Sequence, residues 1–329
     1  MSEDEADEEG LTYAEAGVDI GGQEAATAAL IDAAGDFEGD YAGLVDIGDR
    51  VLALATDGVG TKLLVAEAIG DYSTVGIDCI AMNANDLIAA GIEPVAFVDY
   101  LAVETPDDEE AEQIGEGLRA GAQQAGVSLV GGETAVLPDV IRGLDIAGTC
   151  AGLAPKDAVF PGEAESGDAL VAWPSSGIHS NGLTLAREAV TRNYEYTDPF
   201  PPATDRTIAA ELLTPTRIYA EVLEPLRDAD THAAAHVTGG GWTNLTRMGE
   251  HEYVVEAPFP AQDVFEFVQA EGDVSDEEMH RTFNMGTGFV AAVAPDVADD
   301  LAAATDDGRV IGRVEDGAGT VSIRGLTLS

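Results

Sequence analysis

Lysine is nearly missing from this sequence. Of fifteen basic residues two, Lys62 and Lys156, are lysines, against sixty-two acids, and the formal net charge is -47. A chain so poor in cations repels nucleic acid and anionic lipid, so neither is an expected partner. Cysteine is as scarce. Cys79 and Cys150 stand apart with no C-x-x-C spacing and no Cys/His cluster, which argues against a zinc site or a disulfide scaffold and predicts two buried thiols. No apolar run approaches the roughly 18 residues of a membrane span. The opening "MSEDEADEEG" lacks the basic start and apolar stretch of a secretory signal, so a soluble, cytoplasmic protein is expected.

What is present permits real cores. Hydrophobic residues make up 45% of the 329, enough to offset the entropy of ordering the chain. Single cores stop growing at about 250 to 300 residues, which favours two domains. The acid excess runs through the whole chain and reads as a surface adapted to a very salty cytoplasm, where screening lengths fall to about 3 Å. A carboxylate at an interesting place is therefore a weak signal here, and a lysine is a strong one.

Residues 1–10 carry six acids and read as a solvated, disordered tail, with order beginning near Leu11. From Arg50 an apolar run "VLALAT" is followed by a Gly turn, a helical pattern from Gly76 to Ala90, and the β-rich "PVAFVDYLAV". A second helical pattern covers about Asp107 to Ala125, and "VSLVGGET" and "DIAGTCAGLA" read as strands. "FPGEAESGDALVAW" marks a boundary, giving an N-terminal domain over 11–160 and a C-terminal α/β domain over 167–329. In the second domain, helices are expected near 183–192 and 205–228, and a strand near Phe289–Val293. The fold class is mixed α/β in two domains.

Several stretches carry chemistry. "TDGVGTKL" follows a strand, and Gly58 and Gly60 permit a tight turn that gathers backbone N–H groups. It is not a Walker A loop, because Thr61 separates Gly60 from Lys62. Asp57 could hold Mg²⁺ and Lys62 a phosphate; a plain turn with a surface lysine is the alternative. In "GIDCIAMNANDLIAAG", Ile77, Ile80, Ala81, Ala84, Leu87 and Ile88 form one apolar stripe. Asp78, Asn85 and Asp86 lie off it, either for a polar task at the sheet edge or as a solvated face. "VGGET" sets Gly132 and Glu133 at a strand end, and "FVDYLA" puts Asp99 in an apolar strand, where a buried carboxylate wants a cation or donors. Asp57, Asp86 and Glu133 together are hard oxygen ligands of the kind Mg²⁺ takes.

In the second half, "PSSGIHSNG" packs Ser175, Ser176, His179, Ser180 and Asn181 onto a Gly-flanked turn before a helix. This suits phosphate or amide recognition, or else plain capping by Ser180 or Asn181. His179 could move a proton near neutral pH. "HVTGGGW" offers three glycines that let a backbone approach a phosphate. No Ser-His-Asp order and no H-E-x-x-H pattern stands out.

Taken in order, "LTYAEAGVDI", "TDGVGTKL", "GIDCIAMNANDL", "GIEPVAFVDYLA", "SLVGGETA", "SSGIHSNG", "LLTPTRIY", "HVTGGGW" and "RTFNMGTGF" resemble the phosphoribosylformylglycinamidine cyclo-ligase (aminoimidazole ribonucleotide synthetase) family, over residues 11 to about 290. The resemblance implies a two-domain subunit whose N-terminal strands form a barrel across a homodimer. It implies ATP-dependent ring closure of phosphoribosylformylglycinamidine, with Mg²⁺ held by Asp57, Asp86 and Glu133. ATP would be met by Asp57, Gly58, Gly60, Thr61, Lys62, Asn85, Asp86, Gly132 and Glu133, with Lys62 neutralising charge on the transferred phosphoryl group. The small-molecule substrate would be met by Ser176, His179, Ser180, Asn181 and Gly182, and by Thr238, Gly239 and Gly240 at its ribose phosphate. His179 would polarise the formyl group or shuttle a proton. Two stretches depart from the family pattern: "GVDIGGQE" stands for "GVDIDAGN", changing Gly21 to Glu24, and "GGETAVLPD" for "GGETAEMPG", changing Val136 to Asp139. The rival readings are another member of the same ATP-using superfamily, of the formylglycinamidine synthase, thiamine phosphate kinase, selenophosphate synthetase or hydrogenase-maturation type, and a nucleotide-binding relative without catalysis.

Overall fold

A computed structural model of the chain describes residues 10–18, 20–34 and 42–329. The acidic tail expected at the start lies outside them except for Gly10. A first helix, α1, covers Ile20–Ala34. The N-terminal sheet has five strands in the order β1-β2-β5-β3-β4: β1 Gly43–Asp46, β2 Arg50–Gly58, β3 Glu93–Val103, β4 Ser128–Val136 and β5 Leu144–Pro155. Only the β3/β4 pair is parallel, joined through a crossover helix, as parallel strands require. Besides α1, the described residues of this half form α2 Leu63–Ile69, α3 Val75–Ala89 and the crossover α4 Asp108–Ala125.

The crossover helix starts where its sequence says it should. Asp107 caps it, accepting from the N–H groups of Glu109 (2.9 Å) and Glu110 (3.1 Å), and three acids in the first turn favour the positive end of the helix dipole. It stops at Gly126 in a left-handed conformation, φ 71°. α3 and α4 cross very closely: a Cβ on Gly76 would lie 2.2 Å from the Leu118 backbone, and one on Gly117 would lie 2.7 Å from the Ser73 carbonyl.

The C-terminal half carries a seven-stranded sheet, order β12-β11-β8-β10-β6-β9-β7, antiparallel except for β11 with β8. Its strands are β6 Ala169–Pro174, β7 Ala233–His236, β8 His251–Val255, β9 Thr287–Val293, β10 Arg309–Asp316, β11 Thr320–Ile323 and β12 Leu326–Leu328. The helices are α5 Leu183–Val190, α6 Ile208–Leu212, α7 Leu223–Asp228, α8 Asp263–Gly272, α9 Asp276–Thr282 and α10 Ala298–Ala303. The single helix expected near 205–228 is broken. Pro215 has no N–H to continue α6 and disfavours helical geometry at Thr214, so 214–219 carries no regular structure before a 3-10 turn at Ala220–Val222 leads into α7.

α3 ties the halves together. The one-sided stripe expected for it is too modest: it is buried almost all round, Asp78 and Asn85 included. One side packs on β2, β5 and α4, and the other on β7. Ile88 and Ala89 join a core with Trp173, Tyr219 and Phe289 of the second half.

Among the described residues, the five-stranded sheet is covered on one face alone. Its bare face exposes Leu54, Val98 and Tyr100, large apolar residues that a solvated sheet face would normally replace with polar ones. Cys79 and Cys150 are free and buried, as expected.

Candidate active site

The site lies where α3 meets the second half, and its foundation is an ion pair. Lys62 and Asp78 are both fully buried, Nζ 2.9 Å from Oδ1. Lys62 also donates to the Thr214 carbonyl at 2.6 Å. The same Asp78 oxygen accepts from the Thr216 N–H (2.7 Å), the Thr216 hydroxyl (2.6 Å) and the Ser180 hydroxyl (3.3 Å). Thr61 and Thr184 add a hydroxyl pair at 2.8 Å. The Lys62 ammonium and the Asp78 Oδ1 are thereby met by the "TPT" segment that the break in the expected helix exposes. Burial lowers the Lys62 pKa, and the Asp78 charge opposes that shift.

Beside this pair, at the end of β2, Asp57 is open to solvent but hemmed in by protein. Desolvation and then the charge of Asp86 push its carboxyl up to about 6. Asp86, on α3 and 20% exposed, lies 3.3 Å from Nδ1 of the fully buried His236. Asn85 fixes that histidine's tautomer. Its Oδ1 accepts from the Tyr219 N–H (2.9 Å), so its Nδ2 donates to the Arg217 carbonyl (2.8 Å) and to His236 Nε2 (3.2 Å). Nε2 is then the acceptor nitrogen, and the proton on Nδ1 faces the Asp86 carboxylate. Asn83 braces Asp57 through its carbonyl at 3.2 Å.

The "PSSGIHSNG" turn is held from two sides. Asn284 of "RTFNMG" donates to the Gly177 carbonyl (2.8 Å) and accepts from the Ser175 hydroxyl (2.7 Å), while the Ser176 hydroxyl donates to the Pro215 carbonyl (2.6 Å). His179 takes a left-handed conformation, φ 68°, which few non-glycine residues adopt, and it is 3% exposed. Its ring centroid is 6.5 Å from that of His236. Burial, then His236, Lys62 and Arg217, hold its pKa well below the ordinary histidine value. Its Nδ1 and the Asn181 Oδ1 are buried without a protein partner. Capping does not explain the motif. The N-cap of α5 is Gly182 with no side-chain bond, and Ser180 is spent on Asp78 and Thr216. Asn181 meets the glycine loop: a Cβ on Gly239 would lie 3.0 Å from its Nδ2. Thr238, Gly239 and Gly240 themselves are pinned by Asn244, which donates to the carbonyls of Gly239 (3.0 Å) and Gly241 (2.8 Å).

The structure thus brings Asp57, Asn85, Asp86, His179, Ser180, Asn181 and the 238–240 loop to one region, with Gly58, Gly60 (φ 71°) and Thr61 on the turn leading to Lys62. Two expectations need correction. Lys62 is no phosphate-facing point charge, since its ammonium is sealed against Asp78 and Thr214. Glu133 does not join Asp57 and Asp86. Asp57 pairs in register with Gly148, Gly148 with Asp99, and Asp99 with Gly132, so Gly132 shares the helix-covered face and Glu133, next to it, points to the bare one. Three strand spacings also separate it from Asp57, about 14 Å. Among the described residues, no three His, Cys, Asp or Glu are placed to hold a metal ion. Asp99 is half-exposed rather than buried. His236, Thr214 and Thr216 were missed as site residues; the signals were a histidine directly before "VTGGG" and a proline inside an expected helix.

Comparison with known proteins places this geometry. Residues 39–154 match the N-terminal domain of AIR synthase related proteins, and residues 165–324 match their C-terminal domain. The phosphoribosylformylglycinamidine cyclo-ligase of Methanosarcina acetivorans is 47% identical over 319 residues, covering 93% of this chain and 96% of that one. That of Thermococcus kodakarensis is 48% identical over 299 residues, covering 86% and 88%. Among solved structures, thiamine monophosphate kinase from Aquifex aeolicus superposes with a TM-score of 0.66 at 17% identity, covering 92% of this chain and 97% of that one. The hydrogenase maturation protein HypE in complex with ATP gives 0.63 at 18%, covering 88% and 86%. Likeness at that identity speaks to the fold, a mixed α/β one in two domains. In both halves, the chain belongs to the AIR synthase related family.

Proposed function

We propose that the protein closes the imidazole ring of phosphoribosylformylglycinamidine at the expense of ATP, giving 5-aminoimidazole ribonucleotide, ADP and phosphate in purine synthesis. The observation that carries this reading is the convergence of two facing carboxylates, Asp57 and Asp86, on the buried His179 and the glycine loop at 238–240. An amide oxygen is a poor leaving group until it carries phosphate, so the reaction needs a phosphoryl donor beside an amide-recognising wall. The carboxylates are the phosphate side of that pair and the "SSGIHSNG" turn is the amide side.

Magnesium fits the carboxylates. A carboxyl pushed up to about 6 by its enclosure and by a second carboxylate is a hard-oxygen donor set short of a cation. Asp57 and Asp86 would hold the ion, which would supply positive charge against the ATP phosphates. The chain's own residues do the rest. His236 orients Asp86, the Ser176 to Gly182 turn fixes the substrate, and Thr238 to Gly240 lie open to its phosphate. The Lys62–Asp78 pair keeps the two halves in register.

A homodimer is part of the proposal, because the exposed Leu54, Val98 and Tyr100 form an apolar sheet face that a second copy would cover. Glu133 lies on that face. The acidic surface and the -47 charge suit a cytoplasm of concentrated salt. The test is direct: incubate the protein in concentrated KCl with Mg²⁺, ATP and phosphoribosylformylglycinamidine, and follow aminoimidazole ribonucleotide by its diazo colour. Colour dependent on both ATP and Mg²⁺ is expected; ATP binding without colour refutes the cyclo-ligase reading.

A further inference from the structure

The partners of His179 decide which of its nitrogens carries the proton. Nε2 faces the backbone N–H of Ser176 at 3.2 Å and, less closely, that of Arg217 at 3.5 Å. A backbone N–H only donates, so Nε2 is the lone-pair nitrogen, and an imidazolium, which has none, is excluded there. The single proton of the neutral ring sits on Nδ1, which is buried and has no protein partner. A buried donor left unpaired is costly unless something outside the chain accepts from it. The left-handed backbone at position 179 and the Asn284 clamp hold the ring in this pose.

The surroundings keep the ring neutral. Burial does this first, with His236 facing the ring from β7 and the cations Lys62, on the turn after β2, and Arg217, after α6, opposing a further positive charge. Across from it stands the Tyr219 hydroxyl, whose pKa is pushed far up by burial and which donates to the Pro174 carbonyl at 3.0 Å. Gly288 leaves room for both rings: a Cβ there would lie 2.0 Å from the Tyr219 oxygen and 2.9 Å from His179 Cε1.

We propose that His179 is a catalytic hydrogen-bond donor that offers Nδ1–H to the formyl oxygen of the bound substrate, and that it carries no proton to or from the reaction. This rests on the cyclo-ligase reading and chooses between the two roles that the sequence leaves open for the residue. An uncharged donor in a dry wall suits an uncharged amide oxygen. A phosphate is better met by the open backbone of the 238–240 loop and by a carboxylate-bound cation. The donor fixes the formyl group and draws density from its carbon, the atom that the amidine nitrogen must attack.

The full chain contains five histidines, few enough to resolve with ¹⁵N-labelled histidine by NMR. His179 should show a protonated Nδ1 and a pyridine-like Nε2, unchanged from about pH 5 to 8. Phosphoribosylformylglycinamidine should shift the Nδ1–H signal and inorganic phosphate should not. A protonated Nε2, a titration inside that range, or a shift with phosphate alone would overturn the assignment. Variants give an independent arm. Asn tolerates the positive φ, cannot titrate, and sets an amide N–H near the place of Nδ1. His179→Asn should keep kcat within about tenfold, whereas His179→Asp and His179→Ala should lose on the order of 10²- to 10³-fold. An Asn variant as inactive as Ala would instead mark proton transfer. If wild-type protein forms no product, the cyclo-ligase reading fails while the NMR arm still reports the tautomer.

Discussion

The two lysines of this chain make the same kind of bond in opposite settings. Lys62 is fully buried against a fully buried Asp78, at the seam between the halves. Lys156 is 47% exposed and pairs with an Asp46 that is 68% exposed, at the rim of the five-stranded sheet. At the rim, water and salt already solvate both charges, and forming the pair changes little. At the seam neither charge has water to return to, so each depends on the other and on Thr214, Thr216 and Ser180. What the contrast teaches is that scarcity of lysine marks Lys62 as indispensable without saying for what. The surroundings assign it to architecture.

Breaking the buried pair should have the largest effect on stability. Asp78→Leu leaves an ammonium sealed in the seam, and a cost of about 3 to 5 kcal/mol is expected, read from denaturant midpoints at fixed KCl. Lys62→Met should cost a similar amount. The Lys62→Met/Asp78→Leu double variant should be clearly less destabilised than the two costs added together, because it removes both charges at once. Strict additivity, or single costs under about 1 kcal/mol, would mean that the pair is solvated and that the comparison is wrong.

A third carboxylate sharpens the contrast, since Asp57 sits near the seam but lacks a cation. Asp57→Asn and Asp86→Asn should each lower kcat by about 10²-fold or more without lowering the unfolding midpoint, the reverse of Asp78→Leu. The sign of the pH effect follows from the raised Asp57 pKa. An unfolded Asp loses its proton near 3.9, and the folded one holds it to about 6. The folded state binds more protons between those values, so the stability that Asp57 contributes is complete below about pH 4 and is lost as pH rises through 6. Unfolding midpoints of the Mg²⁺-free protein should therefore decline over that window more steeply than those of Asp57→Asn. Added Mg²⁺, which binds the ionised form, should shrink the difference. Parallel pH profiles for the two proteins would show that Asp57 is freely solvated.

Much of the fold was legible because its signals are local. The helix read at Gly76–Ala90 is Val75–Ala89, and the one read from Asp107 uses Asp107 as its cap. The strand boundaries around Asp57 and Glu133 follow from alternation and glycine. What stayed hidden depends on partners distant in the chain. Lys62 is satisfied by residues 16 and 152 positions away, which no periodicity reveals. The face to which Glu133 points depends on a register that slips between Phe97 and Val98, because a one-residue slip exchanges the two sides of a strand. Pro215 could have been read as a helix breaker. The use of the resulting irregular segment, to close over Asp78, could not.

The smallest effect should come from the other lysine. Lys156→Ala removes one side of an exposed pair, leaves Asp46 fully able to hydrate, and should cost between zero and about 1 kcal/mol in low salt. In concentrated KCl the cost should vanish, since screening lengths near 3 Å are shorter than the separation of most surface charges. Burial on the one hand and screening on the other then make opposite forecasts for a salt series. The penalty of Lys62→Met should persist from dilute to concentrated KCl, because ions do not enter the seam, while that of Lys156→Ala should fall to nothing. A Lys62→Met penalty that fades with salt in the same proportion would place both lysines at the surface and undo the architectural role given to the first.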